Sequence, residues 1–160
     1  MPATEPTYLT AARRDIGQRE ALGPNDSKWI RGMWAKFSAG WLLGQPWCGG
    51  AVAKWLSDAG YPIPKHYYRA LAWAEYGMPC PKPMQGAIAV LTRKGGGHVA
   101  FVTGVTSDGS HVRLLGGNQN DAVNESWFPA SRITTYRVVG GVPRIPAVIA
   151  PVGSLSKSEA

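Results

Sequence analysis

Apolar residues recur at helical spacing through the first half of the chain and at strand spacing through the second, with the change near Gly86. From Thr7 to about Leu22, the positions Leu9, Ala12, Ile16 and Leu22 predict a first helix, broken by "GPND" at 23–26. Trp29, Ile30, Met33, Trp34, Phe37, Trp41 and Leu42 predict a second over residues 28–43, weakened by Gly32 and Gly40. A third runs from about Trp47 to Ala59, ends at Gly60 and Pro62, and carries Cys48, Ala51, Val52, Trp55, Leu56 and Ala59 on one face. "HYYRALAWAEYG" at 66–77 reads as a further helical piece, and "MPCPKPMQG" as an irregular connector. Beyond Gly86 the runs shorten and become β-branched, predicting strands at 87–91, 98–105, 111–115, 123–128 and 133–139.

Helices followed by about five mostly antiparallel strands predict an α+β domain, with the N-terminal helices packed on a small sheet. A chain of 160 residues suits one domain, read here as residues 1–141. Residues 142–160, with prolines at 143, 146 and 151 and a polar end, read as a strap or flexible tail. Seventeen basic against ten acidic side chains give a net charge of +7, and the excess is spread along the chain. Such a surface favours a polyanionic partner, but no basic block supports a nucleic-acid binder. The N-terminus lacks the apolar run of a signal peptide, and no stretch reaches the ~18 apolar residues of a membrane span.

Two cysteines make no disulfide framework. Cys80, between prolines, reads as a loop residue without chemistry. Cys48 lies in "PWCGG" at a predicted helix start. On the apolar face of that helix it reads as a buried hydrophobe. Yet Gly49 and Gly50 each cost helix propensity, which implies a close approach by a neighbouring group, and a helix N-terminus favours a thiolate. Of three histidines, His66 reads as solvated and His111 as an edge residue. His98 follows Gly95, Gly96 and Gly97 and opens the most apolar strand, sharing a face with Ala100 and Val102.

Hairpin geometry supplies a third residue. A three-residue Ser107-Asp108-Gly109 loop sets His98 opposite Asn118, close enough for an imidazole–amide hydrogen bond. A two-residue Asp108-Gly109 loop sets Asn118 opposite Val99 instead, unless a bulge at Gly116-Gly117 restores the face. Asn118 also suits a plain turn in "GGNQND".

The segments "PWCGGAVAKWLSDAGY", "RALAWAEYG", "GGGHVAFVTG" and "LLGGNQNDAVNESWFPASRITTYR" resemble the CHAP and NlpC-type cysteine peptidase superfamily of papain-like peptidoglycan hydrolases, above all its small phage- and prophage-encoded members. The resemblance implies cleavage of a peptidoglycan amide bond, as an endopeptidase or N-acetylmuramoyl-L-alanine amidase, without metal or other cofactor. Cys48 is then the nucleophile, His98 the base and later the acid, and Asn118 the group that holds the imidazole. Gln45, Trp47 and Gln119 are candidates for oxyanion or substrate binding. The family pattern has alanines after the cysteine where this chain has Gly49 and Gly50. The reading that follows is a monomeric endolysin, made in a bacterial cytoplasm and released to a thin wall. The rivals are an interbacterial effector or virion-associated hydrolase with the same chemistry, and a non-catalytic wall-binding or virion structural module.

Overall fold

The computed structural model describes residues 5–153. The first half folds into three α-helices, α1 (Thr7–Arg14), α2 (Lys28–Lys36) and α3 (Cys48–Asp58), with 3₁₀ turns at Gly40–Leu42 and Ala70–Glu75. The second half supplies β1 (Met78–Cys80), β2 (Ile88–Arg93), β3 (Gly96–Val105), β4 (His111–Gln119), β5 (Ala122–Pro129) and β6 (Ile133–Val138). They form one sheet in the order β1-β6-β2-β3-β4-β5 with every neighbouring pair antiparallel, so the fold is α+β and papain-like.

Three elements differ from the expectation. Helix α1 stops at Arg14 because Gly17 turns to φ 103° and gives its N–H to the Val123 carbonyl (3.0 Å), tying the chain to β5. Helix α2 begins where Ser27 Oγ accepts from the Ile30 N–H (3.1 Å) and ends at Lys36, two residues before Ser38 takes φ 54°. The "MPCPKP" connector contributes a sixth strand: Met78 and Cys80 pair with Val138 and Tyr136. Prolines hid it, yet β1 is an edge strand, where a residue without an N–H is tolerated.

The sheet buries both faces. Val90, Val99, Phe101 and Leu115 pack under the helices with Trp34, Trp47, Trp55 and Leu56. Ala89, Leu91, Ala100, Val102, Leu114 and Phe128 form a smaller cluster behind. The chain after β6 crosses that rear side: the Gln85 N–H donates to Ile145 O (2.7 Å), and Val105 exchanges bonds with Val148 O (2.8 Å) and the Ala150 N–H (3.0 Å). The rest of the expected tail, 154–160, lies outside the described residues.

The β3–β4 hairpin combines both registers weighed from the sequence. Near the turn Val105 pairs with Val112 and Gly104 with Arg113, the two-residue-loop register. A bulge at Thr103 then shifts the ladder to Val102–Leu114 and Phe101–Leu115, the register whose extension sets His98 opposite Asn118. Arg113 fills the bulge, donating from Nε to Thr103 Oγ1 (3.1 Å) and from Nη2 to Thr103 O (3.0 Å).

Tyr8 joins the two halves. Its hydroxyl donates to Gly86 O (2.6 Å) and its ring packs on Phe101 at 4.8 Å between centroids. Burial holds its phenol well above the ordinary value, while Tyr136 is pushed up to about 12. A raised folded pKa means that stability is full below the unfolded value of about 10 and is lost as pH rises through the folded value. Urea midpoints are therefore expected to fall above pH 10. Tyr8→Phe should cost about 1–3 kcal/mol at neutral pH, because the Gly86 carbonyl loses its donor, and should make the alkaline decline shallower. An unchanged alkaline slope in Tyr8→Phe contradicts this account of Tyr8.

Candidate active site

Cys48 is the first residue of α3, and no side chain caps that helix. The first-turn N–H groups and the positive end of the helix dipole are thus left for a ligand or a thiolate. The thiol is 3 % exposed and borders a cleft of about 530 Å³. Burial pushes the Cys48 thiol up, whereas the backbone N–H groups of Val99, Gly49 and Cys48 and the charge of Arg93 pull the other way. Desolvation is the largest of these, so burial outweighs the lowering of the thiol expected from the helix start.

The glycines after Cys48 answer to two close approaches. A Cβ on Gly49 would overlap the Tyr67 carbonyl oxygen, and one on Gly50 would come within 2.7 Å of the Trp34 ring. The segment ahead of the Ala70–Glu75 turn thus lies directly on the first turn of α3, where an alanine does not fit. In the "GGG" run, Gly95 serves the β2–β3 turn at φ 83°, and Gly97 is needed because a Cβ there would lie 2.8 Å from Leu71 Cγ.

His98 is fully buried, directly opposite Leu91, and stacks on Phe128 with 5.8 Å between ring centroids. The partner at its Nε2 is Gln119 Oε1 (2.9 Å), where the register argument had placed Asn118. The backbone explains the difference. Asn118, Asn120 and Asp121 take φ of 58°, 54° and 62°, left-handed values that Asn and Asp tolerate, so strand alternation breaks at Asn118 and Gln119 turns toward His98. Asn118 is fully buried at that same bend.

Gln119 has a fixed orientation. Three acceptors, Leu114 O (3.1 Å), Asn124 O (2.9 Å) and Asn124 Oδ1 (3.1 Å), share the two N–H bonds of its Nε2, so its Oε1 must accept and His98 Nε2 must carry the proton. In the neutral ring, Nδ1 is then the basic nitrogen. Gly116 makes room for this network, since a Cβ there would lie 2.7 Å from Ala100 Cβ and 2.8 Å from Gln119 Oε1. The N–H that donates to the Cys48 thiol belongs to Val99, the residue after His98.

Among the other candidates, Gln45 is exposed and lines the cleft, three positions before Cys48. Trp47 is fully buried; its indole N–H donates to Glu20 Oε2 (3.3 Å) and its ring packs beside Trp29, so it anchors the start of α3 in the core away from the cleft. Gln119 is likewise fully buried and serves His98. His66 is exposed and bonds Tyr68 Oη (3.0 Å), and His111 bonds Ser110 Oγ (2.9 Å), in keeping with surface roles. Among the described residues, no three His, Cys, Asp or Glu side chains gather as a metal site.

The profile of the CHAP domain family matches residues 22–118, from the loop before α2 to the bend at Asn118. The chain belongs to the CHAP domain family. CHAP domains act as amidases and peptidases on peptidoglycan, and that general activity extends to this chain. The matched segment contains Cys48 and His98 and stops one residue before Gln119, so the CHAP match does not reach the group at His98 Nε2. Neither a curated protein nor a solved structure matches the chain.

Two substitutions probe this geometry. Gly49→Ala forces a rigid backbone overlap and should cost about 1–3 kcal/mol in thermal or urea unfolding, with a changed alkylation rate at Cys48. Gln119→Ala frees the imidazole tautomer and should lower kcat/KM on peptidoglycan about 100-fold, mostly in kcat, with an altered pH profile. A Gln119→Ala enzyme with the parent pH profile and rate contradicts the positioning role.

Proposed function

We propose that this CHAP domain is a cysteine-dependent peptidoglycan hydrolase in which Cys48 attacks the scissile amide and His98 moves the protons. The observation that carries the reading is the pairing of an uncapped helix start at the cleft with a histidine whose tautomer Gln119 fixes. Because burial raises the thiol, the proton leaves Sγ for His98 Nδ1 as the Sγ–C bond forms, with no standing thiolate required. The carbonyl oxygen gains the negative charge, and in this reading the Cys48 N–H and the Gln45 amide donate to it. Collapse breaks the C–N bond, and His98 passes its proton to the leaving amine. Water then attacks the thioester while His98 takes its proton, and release of the carboxylic acid restores the thiol.

Within this reading the protein is a phage or prophage endolysin, made in the host cytoplasm and acting as a monomer on the wall once released, with its +7 charge aiding capture by an anionic polymer. Support for the setting is the basic charge of the chain and its resemblance to phage-encoded members of the superfamily. Mass spectrometry of muropeptides released from purified sacculi distinguishes cleavage at the sugar–peptide amide from cleavage within the stem or cross-bridge.

The nucleophile is tested with Cys48→Ser, which should fold and lose lysis, while Cys80→Ser stays active. For the parent, kcat/KM should trace a bell in pH whose limbs belong to the Cys48–His98 pair jointly. His98→Ala should abolish most turnover and change the pH dependence of Cys48 alkylation. Clearing of sacculi by Cys48→Ser at the parent rate defeats the assignment, as does alkylation of Cys48 that is indifferent to His98→Ala. Expressed in a Gram-negative host, the protein should lyse cells only when a leader carries it to the periplasm; lysis without one argues against the endolysin setting.

A further inference from the structure

The cleft beside Cys48 has a one-sided charge. Its lining includes Arg69 and Arg93 but no aspartate or glutamate, and its other walls are Trp34, Trp41, Leu42, Tyr68 and Leu71 with the glycines of the β2–β3 turn. Among the described residues, neither arginine forms an ion pair with a carboxylate, whereas Arg13, Arg31, Lys36, Lys54 and Arg113 all do. Arg93 is also held in place. It is half-buried at the end of β2, and its Nε donates to Gly97 O (3.2 Å), which leaves the terminal nitrogens for another acceptor. Arg69, exposed, also lines the cleft, with its guanidinium 5.8 Å from the Tyr68 ring centroid.

A half-buried guanidinium held at Nε presents a planar fork that matches a carboxylate, and guanidinium is more weakly hydrated than an ammonium. We infer that Arg93, assisted by Arg69, binds a carboxylate of the substrate next to the scissile amide, so that the enzyme selects stems carrying a free acid there over their amidated forms. The inference rests on the hydrolase reading, and it adds a specificity-determining pair to the cleft. Arg93 touches the substrate in this role and not the reacting carbonyl. Its loss should therefore act chiefly through binding and KM.

The test separates binding from turnover. Soluble muropeptides are used as isolated, with free carboxylates, and after carbodiimide coupling to ammonia, which makes them neutral amides. Calorimetric titration of Cys48→Ala, which cannot turn over, should give at least about tenfold tighter binding of the free-acid form. Adding Arg93→Gln should erase that preference and Arg69→Gln should reduce it. Arg144→Gln, the same charge change at an exposed position outside the cleft, should leave it intact. Equal affinity for both forms, absence of binding by either, or a preference that survives Arg93→Gln overturns the inference. Selective binding by Cys48→Ala together with a parent that cleaves neither form would instead sink the hydrolase reading and leave the carboxylate site standing.

Discussion

The close seating of the first turn of α3 against its neighbours is the constraint from which the rest of the site follows. Three glycines permit it: Gly49 beneath the Tyr67 carbonyl, Gly50 against Trp34, and Gly117 of β4 against Trp47 and Ala51. Each position lacks room for a methyl group, so helix, loop and sheet approach at backbone distance. A glycine in a helix costs about 1 kcal/mol against alanine, and two in the first turn of α3 would be a poor choice for stability alone. What the approach achieves is placement. It puts the thiol against the Val99 N–H and so beside the peptide that carries His98.

That placement has an electrostatic consequence. A thiol driven this deep loses the solvation that a thiolate needs, and three backbone N–H groups with Arg93 do not fully offset the loss. In the proposed reaction such a thiol stays protonated until a base takes its proton in step with attack. For His98 to be that base it must present the right nitrogen, and Gln119 favours this, since the three acceptors around its amide nitrogen leave only its oxygen for the imidazole. His98 and Gln119, both fully buried, thus hold one hydrogen-bonded orientation of the ring more firmly than an exposed pair would.

Much of this was legible in the chain. The helix-to-strand change at Gly86, the face of α3 and the five longer strands followed from periodicity, because each is an amphipathic element packed on one core. Cys48 and His98 could be singled out because glycines flank both, and bare backbone marks close approach. The short strand at Met78–Cys80 was hidden by its prolines, and α1 was read too long because the tie from Gly17 to Val123 spans most of the chain. Arg69 and Arg93 gave no local signal. Their significance lies in the lack of acids around them in the cleft, which only the tertiary structure reveals.

Gln119 marks where sequence geometry stops working. Register arguments assume that alternate residues share a face, and in β4 that holds from Leu114, across from the Thr103 bulge of β3, as far as the glycines. At Asn118 the backbone turns left-handed, and from there each following side chain points where φ sends it and not where parity does. Asparagine and aspartate at 118, 120 and 121 are the residues besides glycine that bear this conformation most readily, so their clustering is itself a signal. A run of such residues directly across a hairpin from a buried histidine argues for a bent strand end. At such an end, both the facing residue and the one after it are candidates to meet the ring.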